Sequence, residues 1–359
     1  MAQYKSVIIN GKFLEQRITG EQRFALENVK EMDSLFEKEK IPCMLAVSKK
    51  VPDSALPDLK YIKIVRVGKL SGIPWEQIQL ANFLRKNKAL GLHLCNATSI
   101  FYPKGVSTVH DISYTAHPEF NEQKRPLVKY WHCIQDRVCS KKSNAVLTVS
   151  EFSKQEIVST FHIPEEKVTV VYSGWQHFNP IIENDTFEKD FPFLKRKNYF
   201  YSMSTLKKNK NFHWVFENAK QNPNETYVIA GNFDSLRYGK DSANFSLPNI
   251  HYVGYVDDNA AKLLMKNCKA FLFPSFYEGF GLPPLEVLAL DSEVICSNAT
   301  CLPEIYGNTV HYIDPYNSNV DLNEVLKTPT ISPEEILKKY SWKNVAEKIF
   351  ETVKKEFYR

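Results

Sequence analysis

Residues 273–290 decide the fold, and they read Phe-Pro-Ser-Phe-Tyr-Glu-Gly-Phe-Gly-Leu-Pro-Pro-Leu-Glu-Val-Leu-Ala-Leu. The apolar start predicts a strand that ends at Pro274. The proline pair that follows predicts the first turn of a helix, where no intrahelical amide bond is lost. Gly279 and Gly281 between them allow a backbone to approach a ligand closely, and the amide groups of a helix start favour an anion such as phosphate.

Two carboxylates flank this loop. Glu278 stands at its edge, and Glu286 follows in what we predict to be the first turn of the helix, from which it can reach the same cleft. A carboxylate repels phosphate, but it can accept hydrogen bonds from two hydroxyls of a ribose or a hexose. The stretch therefore predicts a phosphate site beside sugar hydroxyls, with a solvated carboxylate at a helix start as the structural alternative for each Glu.

Outward from this stretch, short apolar runs alternate with segments of helical periodicity. This order favours parallel sheets covered by helices. The predicted strands are 7–9, 42–47, 61–67, 91–95, 106–109, 145–149, 168–172, 199–203, 226–230, 250–254, 270–274 and 293–297. Predicted helices include 21–39, 76–88, 124–142, 151–161 and one that starts at 211.

The pattern lapses between the two series of strands. Residues 176–198 contain prolines and an acidic run, which indicate a linker between domains. We predict an α/β fold with two Rossmann-like, doubly wound domains, 1–175 and 199–341. Such a pair leaves an interdomain cleft at the carboxyl ends of the strands, where open α/β sheets bind ligands.

The composition agrees with two globular domains. The chain has 359 residues, 43% of them hydrophobic and 24% charged, which excludes disordered, collagen-like and coiled-coil proteins. No apolar run approaches the roughly 20 residues of a membrane-spanning helix, and the start lacks the pattern of a signal peptide. Seven scattered cysteines without a C-x-x-C pair favour reduced thiols over a metal site or disulfides. We expect a cytoplasmic protein.

Charge is divided unevenly between the two halves. Residues 1–175 hold 25 Lys and Arg against 18 Asp and Glu, a net charge of +7, and the remainder holds 21 against 23, a net charge of −2. Part of the excess lies at Lys124, Arg125, Lys129 and Arg137. Two interpretations are open: a solvated helix face, or attraction of the first domain to anionic lipid or a phosphorylated acceptor, which would be peripheral membrane contact.

With its surroundings, the stretch resembles the retaining glycosyltransferases of family 4, which have the two-domain GT-B fold. Glu278 and Glu286 match that family's E-x7-E signature. Further segments carry the resemblance over most of the chain: 16–24, 108–111, 148–153, 205–211, 297–304, 314–316 and 341–347. The resemblance implies a nucleotide-sugar donor, a glycan or lipid-linked glycan acceptor, and a closing helix, 342–359, that packs back on the first domain.

The resemblance also implies roles in the second domain, where such enzymes bind the donor. Glu286 would hold the ribose hydroxyls, and Glu278 would lie beside the donor sugar. Backbone amides that would receive the phosphate or the sugar belong to Gly279, Phe280, Gly281 and Leu282. Residues that would lie near the base are Gly231, Val253 and Tyr255.

Lys210 takes the place of the family's phosphate-binding lysine, and would neutralise the diphosphate as the glycosidic bond breaks. Thr205 and Asn209 are further donor-binding candidates in the same segment. The segment departs from the family pattern, because Asn209 stands where Arg is usual and Ser204 where Gly is usual. Lysines just before Asn209 could supply the missing charge.

In the first domain, His110 is the best candidate. It follows a predicted buried strand, and the resemblance implies that it contacts the donor sugar; a structural histidine is the alternative. Asp111 is equally well explained as the cap of the next turn. Gly20 would let a loop close over the diphosphate, with a plain turn glycine as an equal alternative. We name His110, Lys210 and Glu278 as the catalytic residues.

The sequence points to no covalent nucleophile, so the resemblance implies front-face substitution, in which the leaving phosphate helps to deprotonate the acceptor hydroxyl. We expect neither metal nor other cofactor, because no Asp-x-Asp occurs and Lys210 and backbone amides can stabilise the charge. The first-domain segments resemble those of mannosyl- and rhamnosyltransferases of O-antigen and capsule assembly, so GDP-mannose is the expected donor and a UDP- or dTDP-sugar the alternative.

Two other functional classes stay in view. A nucleotide-sugar epimerase or a phosphorylase can have the same fold, and a non-catalytic subunit could bind a nucleotide-sugar without transfer. The intact set of His110, Lys210, Glu278 and Glu286 favours the transferase. Nucleic-acid binding has no support, because the basic residues show no aromatic interleaving and no known motif.

Overall fold

The computed structural model describes residues 4–120, 126–178, 182, 185–205, 207–231 and 247–359. They form two compact units. The first consists of residues 4–119, 126–177 and 340–359, and the second of Phe120 with the described part of 178–339. Lys124 and Arg125, part of the predicted basic surface, lie outside the described residues.

A parallel sheet of seven strands forms the centre of the first unit, in the order β3-β2-β1-β4-β5-β6-β7. The strands are β1 (Ser6–Asn10), β2 (Cys43–Val47), β3 (Lys63–Arg66), β4 (Ala89–His93), β5 (Gly105–Thr108), β6 (Ala145–Thr148) and β7 (Val168–Val170). Most are buried and rich in apolar residues, as in parallel sheets with covered faces. The order reverses between β1 and β4, so their carboxyl ends form the crevice at which such sheets bind ligands.

Helices connect these strands. They are α1 (Gly20–Glu39), α2 (Gly72–Pro74), α3 (Ala81–Lys86), α4 (Ser113–Ala116), α5 (Pro126–Lys142) and α6 (Glu151–Phe161). The predicted helix 76–88 is instead a π-helical turn, Trp75–Leu80, that continues into α3. It buries Glu76 completely and leaves Ile78 half exposed.

The last helix, α14 (Trp342–Tyr358), belongs to the first unit. It packs along α1, where Phe36 and Phe350 meet edge to face with ring centroids 5.0 Å apart. The Nζ atom of Lys354 lies 2.8 Å from a carboxylate oxygen of Glu39 at the same contact. The chain thus returns to its first unit after completing the second.

The second unit has a parallel sheet of six strands in the order β10-β9-β8-β11-β12-β13. Its strands are β8 (Phe200–Met203), β9 (Tyr227–Ala230), β10 (Ile250–Gly254), β11 (Ala270–Phe273), β12 (Val294–Ser297) and β13 (His311–Ile313). The three-residue β13 was not predicted, because its apolar run is too short to stand out. The order reverses between β8 and β11, which fixes the ligand crevice of this sheet.

Short helices complete the second unit: α7 (Phe187–Asp190), α8 (Phe212–Gln221), α9 (Asp258–Asn267), α10 (Leu282–Leu288), α11 (Leu302–Tyr306), α12 (Leu322–Val325) and α13 (Glu334–Lys339). Much of the segment predicted as a linker packs into this unit, since Phe187, Phe191 and Leu194 are buried. The Arg196 guanidinium bonds to both Asp185 and Glu188 there. The boundary between the units falls at Phe178 rather than across all of 176–198.

Substitution of Gly174 tests how closely the start of α14 packs against the rest of the first unit. A Cβ atom there would lie 2.3 Å from the backbone nitrogen of Trp342, so Gly174→Ala must displace the start of α14. We expect a loss of about 1–3 kcal/mol in unfolding free energy. Gly20→Ala is the control, because a Cβ atom at Gly20 meets nothing within 4 Å. Chemical denaturation of both variants measures the difference, and equal stability would contradict the packing.

Asp136 of α5 gives a pH prediction. Burial raises the pKa of its carboxyl to about 7, although the Thr115 hydroxyl bonds to it at 2.7 Å. Because the folded-state pKa is raised, this group's contribution to stability is fully present below its ordinary pKa and is lost as pH rises through about 7. The unfolding free energy falls by about 1.4 kcal/mol for each pH unit between the ordinary and the raised pKa.

Replacement of this carboxyl isolates its contribution. Asp136→Asn should flatten the fall in unfolding free energy between about pH 4 and 8, as measured by chemical denaturation across that range. Asp58→Asn, at an exposed site, should leave the slope as in the parent. An unchanged slope for Asp136→Asn would contradict the burial argument.

Candidate functional site

The site in the second unit lies where its strand order reverses. Lys210 comes from the loop after β8, and Glu278 comes from the loop after β11. The Nζ atom of Lys210 lies 2.7 and 2.8 Å from the two carboxylate oxygens of Glu278. The side chains are 22% and 9% exposed, so both charges are largely withdrawn from water. The structure brings together two of the three residues predicted as catalytic.

Asparagines fasten the two loops to each other. The side-chain amide of Asn209 donates to the carbonyl oxygen of Tyr277 at 3.1 Å, and the backbone amide of Phe276 donates to the carbonyl oxygen of Asn209 at 2.8 Å. Asn211, in the left-handed conformation, donates to the carbonyl oxygens of Pro274 and Pro315 at 3.0 and 2.9 Å. Asn209, which stands where the family pattern has an Arg, thus links the two loops through hydrogen bonds to backbone groups. Asn211 ends the segment 205–211 that carries the family resemblance, but no role was predicted for it.

The glycine loop after Glu278 needs its glycine at position 281. Gly281 has φ of +79°, and a Cβ atom there would lie 2.6 Å from the Leu302 side chain. The hydroxyl of Tyr306 donates to its carbonyl oxygen. Gly279 and Phe280 before it are buried. Helix α10 then starts at Leu282, with the two prolines in its first turn as predicted.

Glu286 is the fifth residue of α10, one turn beyond the first turn in which we expected it. Its side chain is 9% exposed, and Glu278 is 8% exposed. A nearly buried carboxylate is costly unless a cation or hydrogen-bond donors face it. Lys210 supplies such a cation to Glu278.

The residues predicted near the base lie at the ends of β9 and β10. Gly231 has φ of +150°. Its amide donates to the carbonyl oxygen of Gly254 at 2.8 Å, and the carbonyl oxygen of Gly231 accepts from the Tyr252 hydroxyl at 2.7 Å. Val253 is half-buried and Tyr255 is 66% exposed. Thr205, after β8, is exposed. Residues 232–246 lie outside the described part of the chain.

His110 follows β5 in the first unit and is buried. Its Nε2 atom lies 3.0 Å from the carbonyl oxygen of Leu94. A carbonyl only accepts, so Nε2 carries the proton in this contact, and Nδ1 of the neutral ring is an acceptor. Phe24 packs edge to face on the ring at 4.7 Å between centroids. Asp111 caps the next turn, since one of its oxygens accepts the Ser113 amide at 2.9 Å.

Gly20 is the first residue of α1 rather than a loop residue. It has no left-handed φ, and Thr19 before it forms a capping box with Gln22. The position therefore has no conformational need for glycine, and only an approaching ligand would require one.

A second polar cluster, which sequence reasoning missed, lies at the reversal point of the first sheet. Glu76 is fully buried and accepts from the Asn10 amide and from Lys12 Nζ, both at 2.7 Å. His93, at the end of β4, lies 3.2 Å from the same Asn10 amide. Burial, with the Lys12 charge, lowers the pKa of His93 to about 3, so its ring is neutral. Periodicity placed Glu76 on an ordinary helix and gave no sign of this contact.

Metal binding and membrane spanning both leave recognisable side-chain patterns. Within the described residues, no group of three or more His, Cys, Asp or Glu side chains is arranged to hold a metal ion. Nor is any helix of that part of the chain long and apolar enough to cross a bilayer.

Two Rossmann-like units with parallel sheets are the architecture of glycosyltransferases with the GT-B fold. Residues 183–344 match the family model described as Glycosyl transferases group 1. Residues 46–175 match the model described as Glycosyltransferase Family 4. Together the two matches take in most of the chain, which therefore belongs to these glycosyltransferases.

Relatives agree with this assignment. O-antigen chain mannosyltransferase B of Escherichia coli is 29% identical over 262 residues, which are 68% of this chain and 64% of that protein. O-antigen chain mannosyltransferase RfbU of Salmonella typhimurium is 27% identical over 212 residues, 58% of this chain and 56% of that protein. The chain therefore spans less than two thirds of the length of these relatives.

Among solved structures, Anabaena HepE in complex with UDP-glucose superposes with a TM-score of 0.71 at 14% identity, over 98% of this chain and 99% of that chain. At this identity the likeness shows the fold.

Lys210→Ala tests the charge at the site. If Lys210 faces the diphosphate, its loss should lower the rate of glycosyl transfer about 10²–10³-fold. Unfolding free energy should fall as well, because Glu278 is left nearly buried without its cation. Initial rates and denaturation curves measure the two effects. The matched control is Lys220→Ala, which breaks a surface pair with Glu217 on α8 and should keep the parent rate. A normal rate in Lys210→Ala would mean that the phosphate is bound elsewhere.

Proposed function

We propose that this chain is a retaining glycosyltransferase. It moves a hexose from a nucleotide-diphosphate sugar, with GDP-mannose as the proposed donor, to a hydroxyl of a glycan or lipid-linked glycan in surface polysaccharide biosynthesis. The observation that carries the proposal is the Lys210–Glu278 pair at the reversal point of the second sheet. A withdrawn cation beside a glycine loop is suited to a diphosphate leaving group.

Lys210 is held ready for this role. An ammonium has three donors, and Glu278 has two oxygens for them, so at least one N–H is left for a phosphate oxygen. Its charge stays where the negative charge of the leaving diphosphate grows, with little reorganisation during the reaction. Backbone amides of Gly279, Phe280, Gly281 and Leu282 would complete the anion site.

Glu278 then serves two purposes. It fixes the Lys210 ammonium, and its oxygens can accept hydroxyls of the donor sugar. Glu286, nearly buried in α10, would accept the two ribose hydroxyls. The paired-carboxylate mechanism of glycoside hydrolases does not apply here, because Glu278 forms an ion pair with Lys210. Front-face substitution, with a leaving phosphate oxygen taking the acceptor proton, is the mechanism that the family resemblance implies.

His110 would contact the donor sugar through Nδ1. Because Nε2 donates to the carbonyl oxygen of Leu94, Nδ1 is the ring nitrogen left to face a sugar hydroxyl. The Lys12–Glu76–Asn10 cluster supports a polar ligand at the first sheet, since it too lies at a point of strand reversal.

Mannose is proposed from the relatives, which are named as O-antigen mannosyltransferases. The UDP- or dTDP-sugar alternative remains, since the HepE structure of the same fold contains UDP-glucose. We also propose that transfer needs no metal and takes place on the cytoplasmic side of a membrane. An epimerase or a non-catalytic binding subunit is the alternative class, and detection of a glycosylated product separates it from the transferase.

A thermal-shift panel with GDP, UDP, dTDP and ADP, and with the matching nucleotide-sugars, tests the donor. A ligand at about 100 times its Kd adds about 2.7 kcal/mol to stability, which shifts the melting temperature measurably. We expect the guanine compounds to give the largest shift. A larger shift with another base would move the proposal to that donor class, and no shift with any nucleotide or nucleotide-sugar would contradict the proposed donor site.

Glu286→Ala in the same panel should weaken nucleotide binding, because a ribose contact is lost, so its binding free energy should fall by about 1–3 kcal/mol and the thermal shift should shrink accordingly. Glu347→Ala, at an exposed position on α14, is the matched control and should behave as the parent. Undiminished affinity in Glu286→Ala would remove Glu286 from the ribose site.

A further inference from the structure

One face of α5 exposes large apolar side chains in a line. Leu127 is 83% exposed, Tyr130 is 70% exposed and Ile134 is 44% exposed. Their spacings of three and four residues put them on the same side of the helix. The opposite side is buried through Gln135, Cys139 and neighbouring residues. Exposed apolar side chains are ordinary when scattered, but three in register form a patch that marks an interaction surface.

The same face turns basic towards the end of the helix. Arg137 and Lys141 continue the three- and four-residue spacing from Ile134, and both are exposed. Lys142 follows, and Lys167 approaches the same end, since its Nζ donates to the carbonyl oxygen of Lys141 at 2.9 Å. The apolar patch is thus joined to a cluster of positive charge.

No carboxylate of α5 offsets this charge. Asp136 is the helix's one acidic residue, and it is buried against the Thr115 hydroxyl. A second copy of the chain would bring no carboxylate from this face, so self-association through it would leave the cations unmatched. An anionic surface would match them.

A loop packed against the buried side of α5 also exposes an aromatic side chain. The backbone amide of Thr98 donates to the Gln135 side chain at 2.8 Å, which fixes the loop beside α5. Phe101, three residues along, is 65% exposed. The Arg85 guanidinium donates to the carbonyl oxygen of Phe101 at 2.9 Å, so this aromatic ring also has a cation nearby.

We propose that the exposed face of α5 docks the first unit on an anionic lipid bilayer. Leu127, Tyr130 and Ile134 enter the interfacial layer, where apolar faces and tyrosine rings are favoured, and Arg137 and Lys141 lie against headgroup phosphates. The proposal deepens the proposed function by naming the surface through which the enzyme would reach a lipid-linked acceptor. Its physical basis, an apolar and basic helix face, does not depend on the reaction.

The test is co-sedimentation of the full chain with vesicles of phosphatidylcholine alone and of phosphatidylcholine with phosphatidylglycerol. We expect binding to the phosphatidylglycerol vesicles that weakens as salt is raised. The combined variant Leu127→Ser, Tyr130→Ser and Ile134→Ser should bind about tenfold or more weakly. The combined variant Arg137→Gln and Lys141→Gln should lose the preference for anionic vesicles.

Matched controls change equally exposed residues elsewhere. Ile331→Ser removes an apolar side chain that is 61% exposed in the second unit. The pair Lys343→Gln and Lys355→Gln removes two exposed charges from α14. Both should bind vesicles as the parent does. If they weaken binding as much as the α5 variants, net charge or general stickiness explains it and the proposal fails.

Leu127→Trp tests the same surface even if the triple variant does not fold. Its added indole fluorescence, relative to the parent, should shift to the blue with phosphatidylglycerol vesicles and stay unchanged with phosphatidylcholine. No shift, or parent-like vesicle binding by the triple variant, overturns the proposal. So does a parent dimer in solution that the triple variant abolishes, since a second copy would then cover the face.

The nucleotide thermal shift of each α5 variant separates this proposal from the proposed function. Variants that lose vesicle binding but keep the parent nucleotide shift support the docking surface by itself. If the parent binds vesicles but no nucleotide, the docking surface stands while the proposed function fails.

Discussion

The ion pair between Lys210 and Glu278 is the constraint around which the second unit is arranged. Two charges that are mostly removed from water are tolerable only when each faces the other at hydrogen-bond distance. The pair therefore requires the loops after β8 and β11 to stay in register. Asn209 and Asn211 supply that register through backbone carbonyls, and Gly281 gives the turn that leads into α10. These contacts hold the Lys210 ammonium in one place before any ligand binds.

The first unit solves a similar problem with different groups. Its sheet also reverses order, between β1 and β4, and a buried carboxylate again meets a lysine there, Glu76 with Lys12. The Nε2 atom of His110 is fixed by a backbone carbonyl rather than by a carboxylate. The chain thus places a polar cluster with a lysine–carboxylate pair at the strand reversal of each sheet.

Much of the architecture could be predicted from the sequence, since apolar runs and turn residues are local signals. The predicted strands overlap the observed β1–β12 one for one, and the loop with Gly279 and Gly281 lies between a strand and a helix as expected. Prediction from the sequence failed where the apolar run was too short to recognise, or where one spacing pattern fits two kinds of helix. The three residues of β13 are too few to stand out, and the π-turn that buries Glu76 looks like any amphipathic helix in its spacing.

The sequence by itself determined the two-domain α/β class, because composition and periodicity are properties of the chain alone. Its resemblance to a known family supplied the signature at Glu278 and Glu286 and the candidates Lys210 and His110. Only the tertiary structure decided that Lys210 is bound to Glu278, that Asn209 bridges two loops and that one face of α5 is left uncovered. The physical reason is that these features depend on residues tens of positions apart being brought within a few ångströms, or on a face that no other element covers. Strand order and packing set such distances, and no local pattern records them.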